Sequence, residues 1–234
     1  MNNLGKTIGR HMNATELKKR KTNLENRLVS LGIKKYKVTY LPYLDYSAVN
    51  FQLPYDAGCR LLILYGLVFV VNNLEARPNL INWFKQEKLW DHVSQNERAF
   101  LIEPQPEQRQ LSRLSWGLEG ALTLGWALGI VQHLPAFNRT APDEELDAFF
   151  TAIPELGGET QQFLNRLRYR DLGEIYEENL VNELATSYFR DLLFNGQNDE
   201  TTIDRGVSFE RHKILNWLRQ FSGISGWDDT DMST

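Results

Sequence analysis

One stretch constrains the fold more than any other: residues 116–135, reading WGLEGALTLGWALGIVQHLP. Past Gly120 it is apolar on every face, which a helix tolerates only when other elements enclose it. A single carboxylate, Glu119, lies inside it. Leu111, Leu114, Leu118, Leu122, Gly125 and Leu128 recur at intervals of three and four, which extends the pattern back to Glu107. The spacing predicts a central buried helix over 107–132. Gly117, Gly120, Gly125 and Gly129 each cost up to ~1 kcal/mol against Ala in a helix interior. Four of them in one helix point to neighbouring helices too close for a side chain; a break near Gly117 is the alternative.

The other segments are helical as well. Asn13 with Glu16 three positions later has the pattern of a capping box, and Leu17, Leu24, Leu28 and Leu31 follow on one stripe up to Gly32. Residues 56–76 are apolar nearly all round, with Arg60 the exception and Pro78 as the expected terminator. A short amphipathic helix is expected over 79–91. Ser94 with Glu97 marks another, ending near Pro104. Pro142 followed by Asp143, Glu144 and Glu145 reads as a helix first turn ending by Pro154. Helices over 160–170, 172–194 and 207–221 complete the chain. Only 37–40, in the aromatic loop 33–55, has strand character. The predicted class is therefore all-α, with at most one short strand pair: a single compact multi-helix bundle over 13–234. Residues 1–12 lack periodicity and read as a disordered or vector-derived leader.

The 234 residues carry a net charge of −4, which disfavours a nucleic-acid surface. One cysteine, Cys59, permits no disulfide within the chain and fits a reducing cytoplasm. It opens an apolar segment and reads as a small buried hydrophobe. The apolar run 61–71 falls short of the ~20 residues a membrane span needs, so no membrane is implied. No phosphate loop, no G-x-S-x-G elbow and no zinc spacing of His and Cys appears, and no cofactor is called for.

Three polar groups stand out. Glu119 is either a raised-pKa acid–base group or one half of a buried ion pair, with Arg60 and Arg211 as the available cations. Glu210, Arg211 and His212 are consecutive, so their side chains point about 100° apart and form no cluster alone. His212 becomes a base only if a carboxylate reaches it. Asp228, Asp229 and Asp231 follow Trp227 and are candidate ligands for a hard cation, without the glycine and distant glutamate of a calcium loop.

The motifs W-G-L-E-G-A-L-T-L-G-W-A-L-G (116–129), L-R-Y-R-D-L-G-E-I-Y-E-E-N-L (167–180), F-E-R-H-K-I-L-N-W-L (209–218) and W-D-D (227–229), in this order and spacing, resemble the bacterial "domain of unknown function 4272" family. The resemblance spans roughly residues 15–234. It implies a mostly helical, single-domain cytoplasmic protein and brings no established activity. In the family an arginine usually follows the first tryptophan, where this chain has Gly117. An Asp-Thr pair usually closes the family sequence, where this chain has Ser233-Thr234.

For function, the leading expectation is a protein-binding module, such as an immunity protein neutralising a toxin. Contact regions would be Tyr43 and Tyr46 of the aromatic loop and the acids Asp143, Glu144, Glu145, Asp199 and Glu200. A hydrolase using Glu119 with Arg60, Arg211 or His212 is the rival, and it requires a pocket where these groups converge. A non-catalytic homo-oligomeric subunit is the third reading.

Overall fold

The computed structural model of the chain describes residues 11–233, and among these the secondary structure is helical, with no strand or sheet. Residues 1–10 of the expected leader lie outside the described residues. Met12 is buried, in the smaller of two apolar cores.

Helix α1 (Ala14–Ser30) opens on the expected capping box. The Asn13 side chain accepts the Thr15 and Glu16 amides at 3.0 Å, and Glu16 takes the Asn13 amide at 2.9 Å. Gly32, at φ +94°, turns the chain out of it. No strand forms at 37–40. The Val38 amide donates instead to Glu25 of α1 (3.0 Å), and a 3-10 turn, Leu41–Leu44, follows.

Helix α2 (Pro54–Val71) is the axis of the larger core, with Leu61, Leu62, Ile63 and Leu67 among its fully buried residues. Each such side chain contributes roughly 1.5–3 kcal/mol. Among the described residues α2 is long and apolar enough to cross a membrane by length and composition, but 61% of it is buried inside the fold, as expected of a core helix. It stops at Val71, five residues before the expected end. Pro78 does not terminate it but sits in the first turn of α3 (Arg77–Gln86), where a missing amide costs nothing. Helix α4 (Gln95–Ile102) starts at the Ser94 capping box.

The continuous helix expected over 107–132 is two helices, α5 (Gln108–Ser115) and α6 (Gly117–Ala127). The interruption lies at Trp116, whose carbonyl takes the Glu119 amide at 3.0 Å in a tightened turn. The two halves also differ in environment. No residue of α5 is fully buried, whereas ten of the eleven in α6 are. Gly129, at φ +71°, ends the segment before residue 130.

The glycines of α6 do mark close approach. A Cβ on Gly120 would stand 2.8 Å from Ile214 and 3.1 Å from Leu64, so α6 is wedged between α2 and the last helix. A Cβ on Gly117 would meet Val68 at 3.1 Å. Gly117 is thus buried against α2.

Helices α7 (Asp143–Ala152) and α8 (Gln161–Arg166) flank the larger core. Helix α9 (Leu172–Phe194) is buried on two sides: α1 and the 3-10 turn make the smaller core on one, and α10 (Arg205–Leu218) packs on the other. Helix α10 begins two residues earlier than its apolar pattern suggests, because Asp204 accepts the Gly206 and Val207 amides.

Candidate functional site

Helices α6 and α10 cross where Glu119 meets Arg211. The Arg211 Nε donates to Glu119 Oε1 at 2.7 Å, and its Nη2 donates to the Pro135 carbonyl at 2.9 Å. The Phe137 ring lies 4.9 Å from the guanidinium. Glu119 is 4% exposed and Arg211 0%. Burial raises the Glu119 carboxyl above its ordinary value, and the Arg211 charge opposes that shift. The arrangement is an ion pair enclosed by helices, which suits it to fixing them together.

Arg60 is not part of this pair. It binds Glu97 on α4, through Nη1 to both carboxylate oxygens (2.6 and 2.8 Å), and its Nη2 reaches the His92 carbonyl at 2.6 Å. The expectation that Arg60 meets Glu119 is therefore corrected: α2 hands its arginine to α4, on the other side of the core. Glu97 serves twice, since one of its oxygens also accepts the Ser94 amide at 2.8 Å to close the capping box. Nothing in the sequence beyond the Ser94 spacing singles out Glu97, and that spacing accounts for it as a cap alone.

His212 joins neither pair. It is fully buried, and the Asn216 side-chain amide, 2.9 Å away, donates to its Nε2, which leaves the ring proton on Nδ1. Burial, with the Arg219 and Arg190 charges, lowers its pKa to about 3. A neutral imidazole held this way has no carboxylate within hydrogen-bonding reach to make it a base. Glu210 is buried beside Lys213 (3.4 Å), in the second turn of α10.

Around these residues the α9–α10 contact carries polar pairs. Asn179 donates to Asn216 (2.9 Å) and Arg219, at the end of α10, to Glu183 (2.7 Å), while within α9 Asn182 donates to Glu178 (2.9 Å). Buried atoms on the same seam, among them Asn182 Oδ1, Ser208 Oγ, Arg211 Nη1 and His212 Nδ1, have no protein partner. Enclosed water satisfies groups of this kind. Sequence reasoning missed this seam, because Asn and Glu on a long helix look like a solvated face until a second helix covers them.

Asp228 and Asp231, two of the three C-terminal aspartates, face protein donors. Asp228 accepts the Asn96 amide at 2.9 Å, and Asp231 accepts the Ser222 hydroxyl and the Ser233 amide. Among the described residues no group of three or more His, Cys, Asp or Glu is placed to hold a metal ion. Cys59 is buried, and burial pushes its thiol up to about 12.

The residues expected to meet a partner divide in two. Tyr46 is 4% exposed, stacked on Tyr176 with Arg20 above it, and the Tyr43 hydroxyl donates to Glu183. The aromatic loop is thus packed inward at both positions. Asp143, Glu144 and Glu145 are exposed in the first turn of α7. Glu200 is exposed, and Asp199 is tied to Thr201 and Arg205.

One cleft collects titratable side chains. It measures about 290 Å3 and lies between α2, the turn Trp90–His92 and the C-terminal tail, with Asp56, Asp91, His92, Arg60 and Trp227 on its walls. His92 Nδ1 stands 3.7 Å from Asp56, whose carboxyl is raised by burial and lowered by His92.

The motif stretches thus hold one another. Glu119 of the first binds Arg211 of the third; Asn179 of the second binds Asn216 of the third; Trp227 of the last stacks edge-on against Trp217 at 5.6 Å. No curated protein and no solved structure matches the chain. A family model described as "Domain of unknown function (DUF4272)" matches residues 20–230. The motifs that lock the core therefore identify it: the chain belongs to the DUF4272 family.

Proposed function

We propose that the chain is a cytoplasmic protein-binding module that neutralises a partner protein, as an immunity protein neutralises a toxin. The observation that carries this reading is the end of α9. Leu193 and Phe194, adjacent and large, are 77% and 80% exposed, with the exposed acids Asp191 and Glu200 close by in the chain. An apolar anchor with a charged rim is the usual anatomy of a protein interface. The acids there and in the first turn of α7, with a net charge of −4, suit a basic partner surface and would speed encounter with it. For the rival hydrolase, Glu119 and Arg211 meet but both are buried, while Arg60 and His212 are engaged elsewhere, so the protein-binding reading is preferred.

The test is co-expression with the product of the neighbouring gene, followed by size-exclusion chromatography and a growth assay. The wild-type chain is expected to co-elute with that product and restore growth. Phe194→Asp is expected to weaken the complex about tenfold or more, as loss of an interface anchor does. A chain that co-elutes with nothing and restores no growth rules the reading out.

A further inference from the structure

Residues 221–233 contribute no buried side chain to the fold; each is half-buried or exposed. Part of what they rest on is buried: Arg60, Asn216 and Trp217. One indole and a few polar atoms make the contact. Arg60 and Lys213 each lie 4.4 Å from the centroid of the Trp227 ring. Asp228 accepts the Asn96 amide in the first turn of α4. Main-chain carbonyls do the rest. That of Ser225 accepts from Gln52 and from the Trp217 indole, both at 3.1 Å; that of Asp231 accepts from Asn216 at 2.9 Å, and that of Met232 from Arg190 at 3.2 Å.

The tail leaves α10 through a costly backbone. Gln220 (φ +48°) and Ser222 (φ +57°) are left-handed without being glycine, and Gly223 (φ +76°) follows. Such conformations persist where surrounding contacts impose them, and they recur in switch segments. The tail that follows them is half-exposed, the kind of segment that opens at low cost.

We propose that the groove formed by α2, α4 and α10 is a recognition site for an extended partner segment carrying an aromatic residue followed by a carboxylate, and that residues 224–233 are its intramolecular occupant. The proposal rests on the protein-binding reading and supplies the chemistry of the partner. Arg60 and Lys213 take the aromatic face. The amides at the start of α4 take the carboxylate. Gln52, Trp217, Asn216 and Arg190 take carbonyls, which any extended segment offers. Because the tail competes at a high effective concentration, a partner displaces it when a second contact, such as Leu193 and Phe194, adds its own affinity.

The experiment uses a fluorescein-labelled peptide of residues 224–234 and fluorescence anisotropy, with the full-length wild-type chain and full-length Trp227→Ala. Trp227→Ala is expected to bind the peptide at least about tenfold more tightly than wild type, because its own tail competes less. Replacing the peptide's tryptophan by alanine is expected to abolish binding, and added salt to weaken it. If Trp227→Ala does not fold, Asp228→Asn takes its place with the same expected direction. A folded variant that binds the peptide no better than wild type overturns the proposal. The titration needs no partner protein, so its failure leaves the co-elution test standing, and failure of co-elution leaves the groove standing.

Discussion

At the residue scale, the pair Glu119–Arg211 carries most of the consequence. Glu119→Leu leaves the Arg211 charge buried and without its carboxylate, which is expected to cost about 3–5 kcal/mol in urea denaturation. Adding Arg211→Met should restore most of that loss, since well-packed apolar side chains commonly replace a buried pair without penalty. A single Glu119→Leu within ~1 kcal/mol of wild type would mean the pair does not hold α6 to α10. This pair was half legible in the sequence, where Glu119 and two arginines stood in otherwise apolar segments. The choice of arginine was not legible, because Glu97 looked fully accounted for as a cap and so hid the partner of Arg60.

His212 gives a second expectation at this scale. Its pKa falls from 6.5 in the unfolded chain to about 3 in the folded one. Above pH 6.5 the ring is neutral in both states and contributes nothing. Below that, the unfolded chain takes a proton that the folded chain refuses, so stability falls as pH falls, by up to about 1.4 kcal/mol per pH unit until the folded pKa is reached. Glu119, Glu210 and Asp56, raised by burial, act in the opposite sense, because the folded chain protonates them first. His212→Gln isolates the histidine: on lowering the pH through this range, the variant's urea midpoint should lose less, relative to its own value at pH 7, than the wild type's does. An unchanged slope would show that His212 is protonated in the folded chain.

Among the elements, the capping boxes at Asn13 and Ser94 were fully legible, since three residues of local sequence determine each. Helix ends set by tertiary contact were not. Nothing local tells that Pro78 begins a helix rather than ending one; the glycines offer the interruption at Trp116 only as the alternative to a continuous helix. The glycines announced close approach without saying to what. Gly206, unremarked in the sequence, is an informative case. A Cβ there would lie 2.4 Å from Cη2 of Trp116, a rigid ring end. Gly206→Ala gains about 1 kcal/mol of helix propensity. Overpacking against the indole costs typically 1–3 kcal/mol. The net effect in thermal denaturation is expected to be destabilising, and a raised Tm would mean that Trp116 shifts freely.

For the whole molecule, the two apolar cores predict uneven stability. The larger is closed around α2, α6 and α10; the smaller holds α1 and the 3-10 turn against one side of α9. Hydrogen exchange should release the α1 amides before those of α2 and α6, because regions with fewer buried apolar contacts open first. Equal protection of α1 and α6 would refute this. The all-helical class was readable because the apolar residues recur at three and four throughout. The depth of each element was not, because α9 carries Asn and Glu on a side that only the folded α10 covers.

That covered side of α9 also settles how far two helices can slide. Leucine against leucine packs nearly as well after a slip of one turn, about 5.4 Å. Amide to amide and guanidinium to carboxylate do not: a slip would separate Asn179 from Asn216 and Arg219 from Glu183 together, breaking two buried polar contacts at once. The seam thus acts as a registration key. It admits one alignment of α9 and α10, and through α10 it fixes where Arg211 arrives to meet Glu119.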